Sequence, residues 1–290
     1  MNFQISSNKI DNPLLVELLR TASECFKEVG QDFFVIGATA RDILIQQLVG
    51  ISSGRKTRDL DLAIAIPNWE AFDEIKQMLL AHGFTKDEKM YQRFYYGVYE
   101  MDIVPYGDVA KEDGYIYWPP EEDIAMSVKG YEEVLKDAIT ISIDNEFDIK
   151  LASLHGLFIL KFNAWLDRNL QTNKDADDMG FIIENYSIAN LNRSVYQEVF
   201  DWDDFDEFIV GAYWLANDIV GFLPIKYLSY YEKCLQKEIA KEEDSRLLQQ
   251  ILDSNSVLQY EQVLYAFQKM IEVLISLPDE NMYCFSKHSC

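Results

Sequence analysis

Residues Asp59 to Ile66 read Asp-Leu-Asp-Leu-Ala-Ile-Ala-Ile. A strict two-residue alternation of this kind fits a β-strand with one face in a core. Leu60, Leu62, Ile64 and Ile66 fall on one face, and Asp59, Asp61, Ala63 and Ala65 on the other. Positions i and i+2 of a strand project to the same side, so the two carboxylates can grip one divalent cation or bridge two. The alanines leave room beside them for a ligand. The same letters also describe a half-exposed edge strand with its charges in water, and the pattern alone leaves both readings open.

Asp102 stands between Met101 and Ile103 on a second strand expected to follow. If the two strands are neighbours, Asp102 completes a three-carboxylate cluster. Such a cluster needs a compensating cation, because like charges in a cleft raise each other's pKa. Sites with two metals about 3.5–4 Å apart stabilise both the attacking and the leaving oxygen of a nucleotidyl transfer.

Around this strand the periodicity changes along the chain. Pro13 to Gly30 has helical spacing, and Phe33-Phe34-Val35-Ile36 is a short buried strand closed by Gly37. Thr39 is placed to cap a helix from Ala40 to about Gln47. Trp69 to His82 is an amphipathic helix, with strands expected at Arg93–Tyr99 and Met101–Pro105. Loops and short strands fill Gly107 to Ile149, and from Leu151 the pattern is helical almost to the end. Strands with helices followed by helices alone predict an α/β or α+β domain over residues 1–150 and a helical C-terminal domain over 151–290.

The formal net charge is −23, which disfavours broad, non-specific binding to nucleic acid. An RNA held by a local basic patch, a metal-neutralised nucleoside triphosphate, a small ligand or a basic protein partner all remain compatible. Cys25, Cys234, Cys284 and Cys290 lie far apart or at the terminus and suggest reduced thiols. The first residues lack the pattern of a signal peptide, and no apolar run approaches the roughly 20 residues needed to cross a bilayer. A cytoplasmic protein without membrane contact is the expectation.

Gly37-Ala38-Thr39-Ala40-Arg41-Asp42 forms a strand-to-helix turn. Small residues let the backbone approach a phosphate, and a helix N-terminus offers free N–H donors. Thr39 adds a hydroxyl, and Arg41 can reach a phosphate or pair with Asp42. Lys161 lies within the apolar helix around Ile159-Leu160 and Phe162, where a lysine snorkels or meets an anion. An ordinary exposed helical lysine is the commoner case.

Taken together, these blocks resemble the nucleotidyltransferase (polymerase-β-like) superfamily. Val35 to Asp42, Thr57 to Ile64 and Met101 to Gly107 are similar to the blocks of its bacterial AbiEii/AbiGii toxin branch. So are Trp118-Pro119-Pro120, Leu160 to Arg168 and Lys174-Asp175-Ala176-Asp177-Asp178. The likeness spans about residues 30–186. It implies an α+β protein, with a nucleotidyltransferase-fold mixed sheet and flanking helices followed by a helical C-terminal domain, binding a nucleoside triphosphate between two lobes. By that resemblance Asp59, Asp61 and Asp102 hold Mg²⁺, with Asp102 the third ligand or the base. Gly37, Thr39 and Arg41 form the phosphate turn, Lys161 contacts the triphosphate, and Asp178 is a further functional carboxylate. The superfamily often follows its first glycine with glycine or serine; here Ala38 leaves any hydroxyl contact to Thr39.

The activity implied is transfer of a nucleoside monophosphate to an acceptor, tRNA among them, by the toxin of a toxin–antitoxin system with a cognate antitoxin. A small-molecule, aminoglycoside-type nucleotidyltransferase is the alternative enzyme, and a non-catalytic nucleotide- or protein-binding relic the alternative outside enzymes. Gly50 to Thr57 is one residue short of a P-loop and precedes a strand. The basic run Arg55, Lys56 and Arg58 reads as a rim for substrate phosphates or a solvated loop. The acidic-aromatic stretch Asp201 to Glu207 reads as a solvated helix start or, less commonly, a partner surface.

Overall fold

The alternating strand lies near the middle of an eight-stranded sheet, not at its edge. The computed structural model describes residues 2–10, 12–51, 59–203 and 205–276. The basic run 55–58, most of the P-loop-like segment, His288, Cys284 and Cys290 lie outside the described residues. The sheet is built from β1 (Asn2–Ile5), β2 (Phe33–Ile36), β3 (Asp59–Ala65), β4 (Thr85–Lys86), β5 (Arg93–Tyr96), β6 (Tyr99–Tyr106), β9 (Ile139–Ile143) and β10 (Phe147–Leu151). Its order is β1-β9-β10-β2-β3-β6-β5-β4, and a separate ribbon pairs β7 (Tyr115–Tyr117) with β8 (Ala125–Ser127).

The sheet is mixed: β3 runs antiparallel to β2 and parallel to β6. Leu60, Leu62 and Ile64 are fully buried, as alternation requires. Ala63 is also fully buried, so the alanine stretch of the second face is packed rather than open. Asp59 and Asp61, at the start of the strand, stay accessible on that face, as does Ala65 at its far end.

Two local expectations shift. The hairpin between β5 and β6 turns at Gly97 and Val98, because Gly97 supplies the positive φ (+59°) that a two-residue turn needs. The strands therefore end at Tyr96 and resume at Tyr99. Within the region expected to hold loops and short strands, Tyr131–Lys136 forms a short helix, α4.

Helices α1 (Pro13–Glu28), α2 (Gly37–Leu48) and α3 (Trp69–Ala81) accompany the sheet. After β10 come α5 (Leu154–Arg168), α6 (Lys174–Ala189), α7 (Glu207–Phe222), α8 (Ile225–Ile239), α9 (Arg246–Ser254) and α10 (Tyr260–Ile275). Side-chain caps hold several helix starts: Ser153 Oγ accepts from Gly156 N, and Asp206 Oδ1 accepts from Phe208 N and Ile209 N. Buried apolar side chains form one continuous core from Ile5 to Leu274. The sheet with flanking helices, then helices alone, is the α+β architecture expected.

Within the helical half, Gly211 sets how closely α7 approaches α6. A methyl group there would lie 2.2 Å from the carbonyl oxygen of Ile183, a backbone atom that cannot rotate away. Gly211→Ala is therefore expected to lower stability by about 1–3 kcal/mol despite alanine's better helix propensity. Gly221→Ala, with nothing within 4 Å, is the matched control and should be neutral or slightly stabilising. Urea unfolding of both variants checks this, and equal midpoints would refute the contact.

Candidate active site

Gly37 ends β2 with φ of +69°, a conformation that side chains of L-residues rarely adopt. A Cβ on this residue would lie 2.0 Å from Asp61 Oδ2. Only glycine lets the first turn of α2 close over the Asp61 carboxylate. On one side of Asp61 the sheet register places Ile36, and on the other, across the parallel pair, Asp102. Adjacent strands are about 4.8 Å apart, so Asp61 and Asp102 stand side by side on one face. The next pair along that face is Asp59 and Glu100, which adds a fourth carboxylate that the sequence pattern did not single out.

Burial pushes Asp61 up to about 6; Asp102 and Asp59 add to the rise, and Lys161 and Arg168 oppose it. Asp102 is met by Arg93 from β5, with Nε donating to Oδ1 and Nη2 to Oδ2, each at 2.8 Å. The same guanidinium reaches Glu100 at 2.7 Å. Arg93 thus serves as an internal counter-ion for two of the acids. Among the described residues, no three His, Cys, Asp or Glu side chains already converge as metal ligands.

The helical half brings a second charged cluster up to the first. Lys161 Nζ, on α5, lies 2.7 Å from Asp178 and 3.6 Å from Asp175, both on α6. Burial by itself would lower the lysine's pKa, but Asp178, Asp175 and Asp61 outweigh it and hold the value above the ordinary range. Lys161 therefore stays cationic and faces the Asp61 carboxylate. Arg168 makes a bidentate pair with the fully buried Asp175, at 2.7 and 2.8 Å. Tyr131 packs close by, and burial together with Asp61 keeps its phenol protonated.

Thr39 and Arg41 spend their polar groups inside the protein. Helix α2 begins at Gly37 rather than after a Thr39 cap, and the Thr39 hydroxyl donates to the carbonyl of Asp59 at 3.0 Å. That bond anchors α2 to the start of β3 and leaves no hydroxyl in place of the superfamily's serine. The Arg41 side chain, only 3% exposed, pairs with Asp178 and with Asp42 and lies over the Phe181 ring. Asp178 accordingly bridges Arg41 of the sheet half and Lys161 of the helical half.

Arg93, Asp175 and Arg168 carry roles that the sequence reading did not assign. Arg93 becomes visible only through its register opposite Asp102. Asp175 and Arg168 lay within the recognised blocks, but their pairing needed the relative placement of α5 and α6.

A glycine turn closed over paired strand carboxylates, with a lysine arriving from a following helical half, is the arrangement of a nucleotidyltransferase. Over residues 22–270 the chain matches the family model described as nucleotidyl transferase AbiEii toxin, type IV TA system, and it belongs to that family. The expected family and fold class are thus borne out. Comparison with curated proteins finds no match. Among solved structures, the solution structure of the antibiotic-resistance factor ANT(2'')-Ia is similar at 14% identity, covering 62% of this chain and 84% of that chain, with a TM-score of 0.34. That likeness is too loose to bear on the site. No helix among the described residues is long and apolar enough to cross a membrane.

The charged bridge gives a direct test. Removing Asp178 takes one carboxylate from two buried cations but leaves Arg41 with Asp42 and Lys161 with Asp175 at 3.6 Å. A loss of about 1–3 kcal/mol is therefore expected, less than for a fully unpaired buried charge. Asp178→Ala should lower the urea midpoint accordingly, while Glu184→Ala, on the same helix, should change it little. An unchanged midpoint for Asp178→Ala would mean that water replaces the carboxylate.

Proposed function

We propose that this chain transfers a nucleoside monophosphate from a nucleoside triphosphate to an acceptor hydroxyl or phosphate, releasing pyrophosphate. The observation that carries this reading is the Asp61–Asp102 register beneath the Gly37 turn. Asp59, Asp61 and Asp102 offer hard oxygen donors, the set that suits Mg²⁺. Burial, and to a lesser degree the neighbouring carboxylates, raise Asp61, so keeping the cluster ionised calls for a compensating cation. These three residues would hold the ion. When bound, Mg²⁺ supplies charge neutralisation at the triphosphate and lowers the pKa of the attacking hydroxyl.

The chain's own groups do the rest. Backbone N–H groups of the first turn of α2 face the region where phosphates would lie, with the helix dipole favouring negative charge. Lys161 keeps its charge through Asp178 and Asp175 and presents it toward the leaving pyrophosphate. Asp102, once Arg93 yields one of its oxygens, completes the ligand set or, in place of that role, takes the proton of the attacking hydroxyl. Asp178 positions both Arg41 and Lys161.

Membership of a type IV toxin family makes a toxin acting on a cellular acceptor, with a cognate antitoxin, the leading biological role. tRNA is one such acceptor. The net charge of −23 favours a second reading, a small cationic acceptor of the aminoglycoside type, because a polyanion is repelled at long range.

Labelled nucleoside triphosphates with Mg²⁺, offered with total tRNA and separately with an aminoglycoside, decide among these. Wild-type protein should label one acceptor, and Asp61→Ala should reduce labelling by about 10³-fold or more. Gly37→Ala should reduce it comparably, since its methyl group would displace the Asp61 carboxylate. Equal labelling by Asp61→Ala, or none by any form under any condition, would overturn the mechanism and leave a binding relic of the fold.

A further inference from the structure

The connector between α6 and α7 carries a concentration of exposed apolar surface. Leu191, Val195, Tyr196, Phe200 and Phe205 are all exposed, Phe200 at 52% and Phe205 at 47%. The two phenylalanine rings stack with centroids 6.0 Å apart, and Phe200 also meets Trp214 edge-on at 6.0 Å. Clustered exposed apolar groups of this kind mark interaction sites, whereas scattered ones do not.

The patch is held rigid without being covered. Trp214 Nε1 donates to the Tyr196 carbonyl at 2.8 Å, and the Tyr213 hydroxyl donates to Glu198 at 2.6 Å. Arg193 lies over the Tyr196 and Trp214 rings, while its guanidinium pairs with Asp218 at 2.9 Å. Preorganised aromatic groups lose little freedom on binding, which is why they dominate interface energies.

Charge decides what such a surface accepts. From Leu191 to Glu207 the sequence places Glu198, Asp201, Asp203, Asp204, Asp206 and Glu207 against Arg193 alone. Nearby Lys269 lies 6.0 Å from the Trp202 ring and is paired with Glu272. Single-stranded nucleic acid also stacks on exposed rings, but it needs a positive groove for its phosphates. Here the rim has the opposite sign. We infer that this aromatic, acid-rimmed surface docks a basic segment with an apolar face from a partner protein. The proposal is independent of the nucleotidyl-transfer reading, since none of its residues belongs to the carboxylate or lysine clusters.

A synthetic amphipathic helix with one leucine face and one lysine face serves as the probe, titrated by calorimetry at two salt concentrations. The comparison is among wild type, the double variant Phe200→Ser/Phe205→Ser, and Val257→Ser, which removes an exposed apolar group outside the patch. Wild type and Val257→Ser should bind equally, and the double variant about tenfold or more weakly at unchanged net charge. Circular dichroism and thermal unfolding verify that the double variant is folded; if it is not, Phe205→Ser alone carries the comparison. Equal binding by all forms would reduce the effect to general attraction by a polyanion and overturn the proposal. So would oligouridylate binding that the double variant loses, or self-association that it abolishes. Probe binding by wild type only after truncation following Ser276 would also overturn it, since the chain's own tail would then be the occupant.

Discussion

A guanidinium that cannot give up its charge is buried between the two halves of the chain, and much of the architecture follows from satisfying it. Arg41 leaves the first turn of α2 and meets Asp42 on its own helix and Asp178 on α6. Arginine stays protonated at any accessible pH, so these carboxylates have to be delivered to it wherever the chain folds. Asp178 delivers itself to Lys161 as well, and Lys161 in turn faces Asp61. The result is an alternation of charge from α2 through α6 and α5 back to β3. Helices and sheet are thereby fixed relative to one another around the carboxylates of β3 and β6.

The opposite problem governs the sheet side. Asp59, Asp61, Glu100 and Asp102 are brought together by strand pairing, which takes no account of charge. Burial is the main reason the Asp61 carboxyl is raised, and the like charges of Asp102 and Asp59 add to it. The protein meets part of the imbalance with Arg93, whose fork takes both oxygens of Asp102 and touches Glu100. A hard divalent cation is the natural complement for the remainder. In the proposed reading, Arg93 and such an ion would compete for Asp102.

Two kinds of surface therefore coexist on one acidic chain. The cluster where β3 and β6 meet α5 and α6 balances acids with Arg41, Lys161, Arg168 and Arg93. Among the described residues of the connector after α6 and the first residue of α7, Glu198, Asp201, Asp203 and Glu207 are exposed, as are Phe200 and Phe205, with Arg193 already committed to Asp218. In the proposed readings, the first would serve an anionic substrate with its cation and the second a basic partner.

Much of this was legible in the residues themselves. The two-residue period of Asp59 to Ile66 determines a strand and puts Asp59 and Asp61 on one side, because pleating has no other solution. Gly37 before a helical segment determines the turn, and the order of the blocks determines the family. Periodicity could not say that β3 is central, that Asp102 lies opposite Asp61, or that Gly37 is pressed against Asp61 Oδ2. Those depend on register, which is set by pairing between segments distant in sequence. Nor could it say that Thr39 and Arg41 turn inward, since a hydroxyl or guanidinium finds its partner only after the fold has brought Asp59 and Asp178 to it. Local geometry was written in the sequence; which charge meets which was decided by tertiary structure, because ion pairing acts through space and not along the chain.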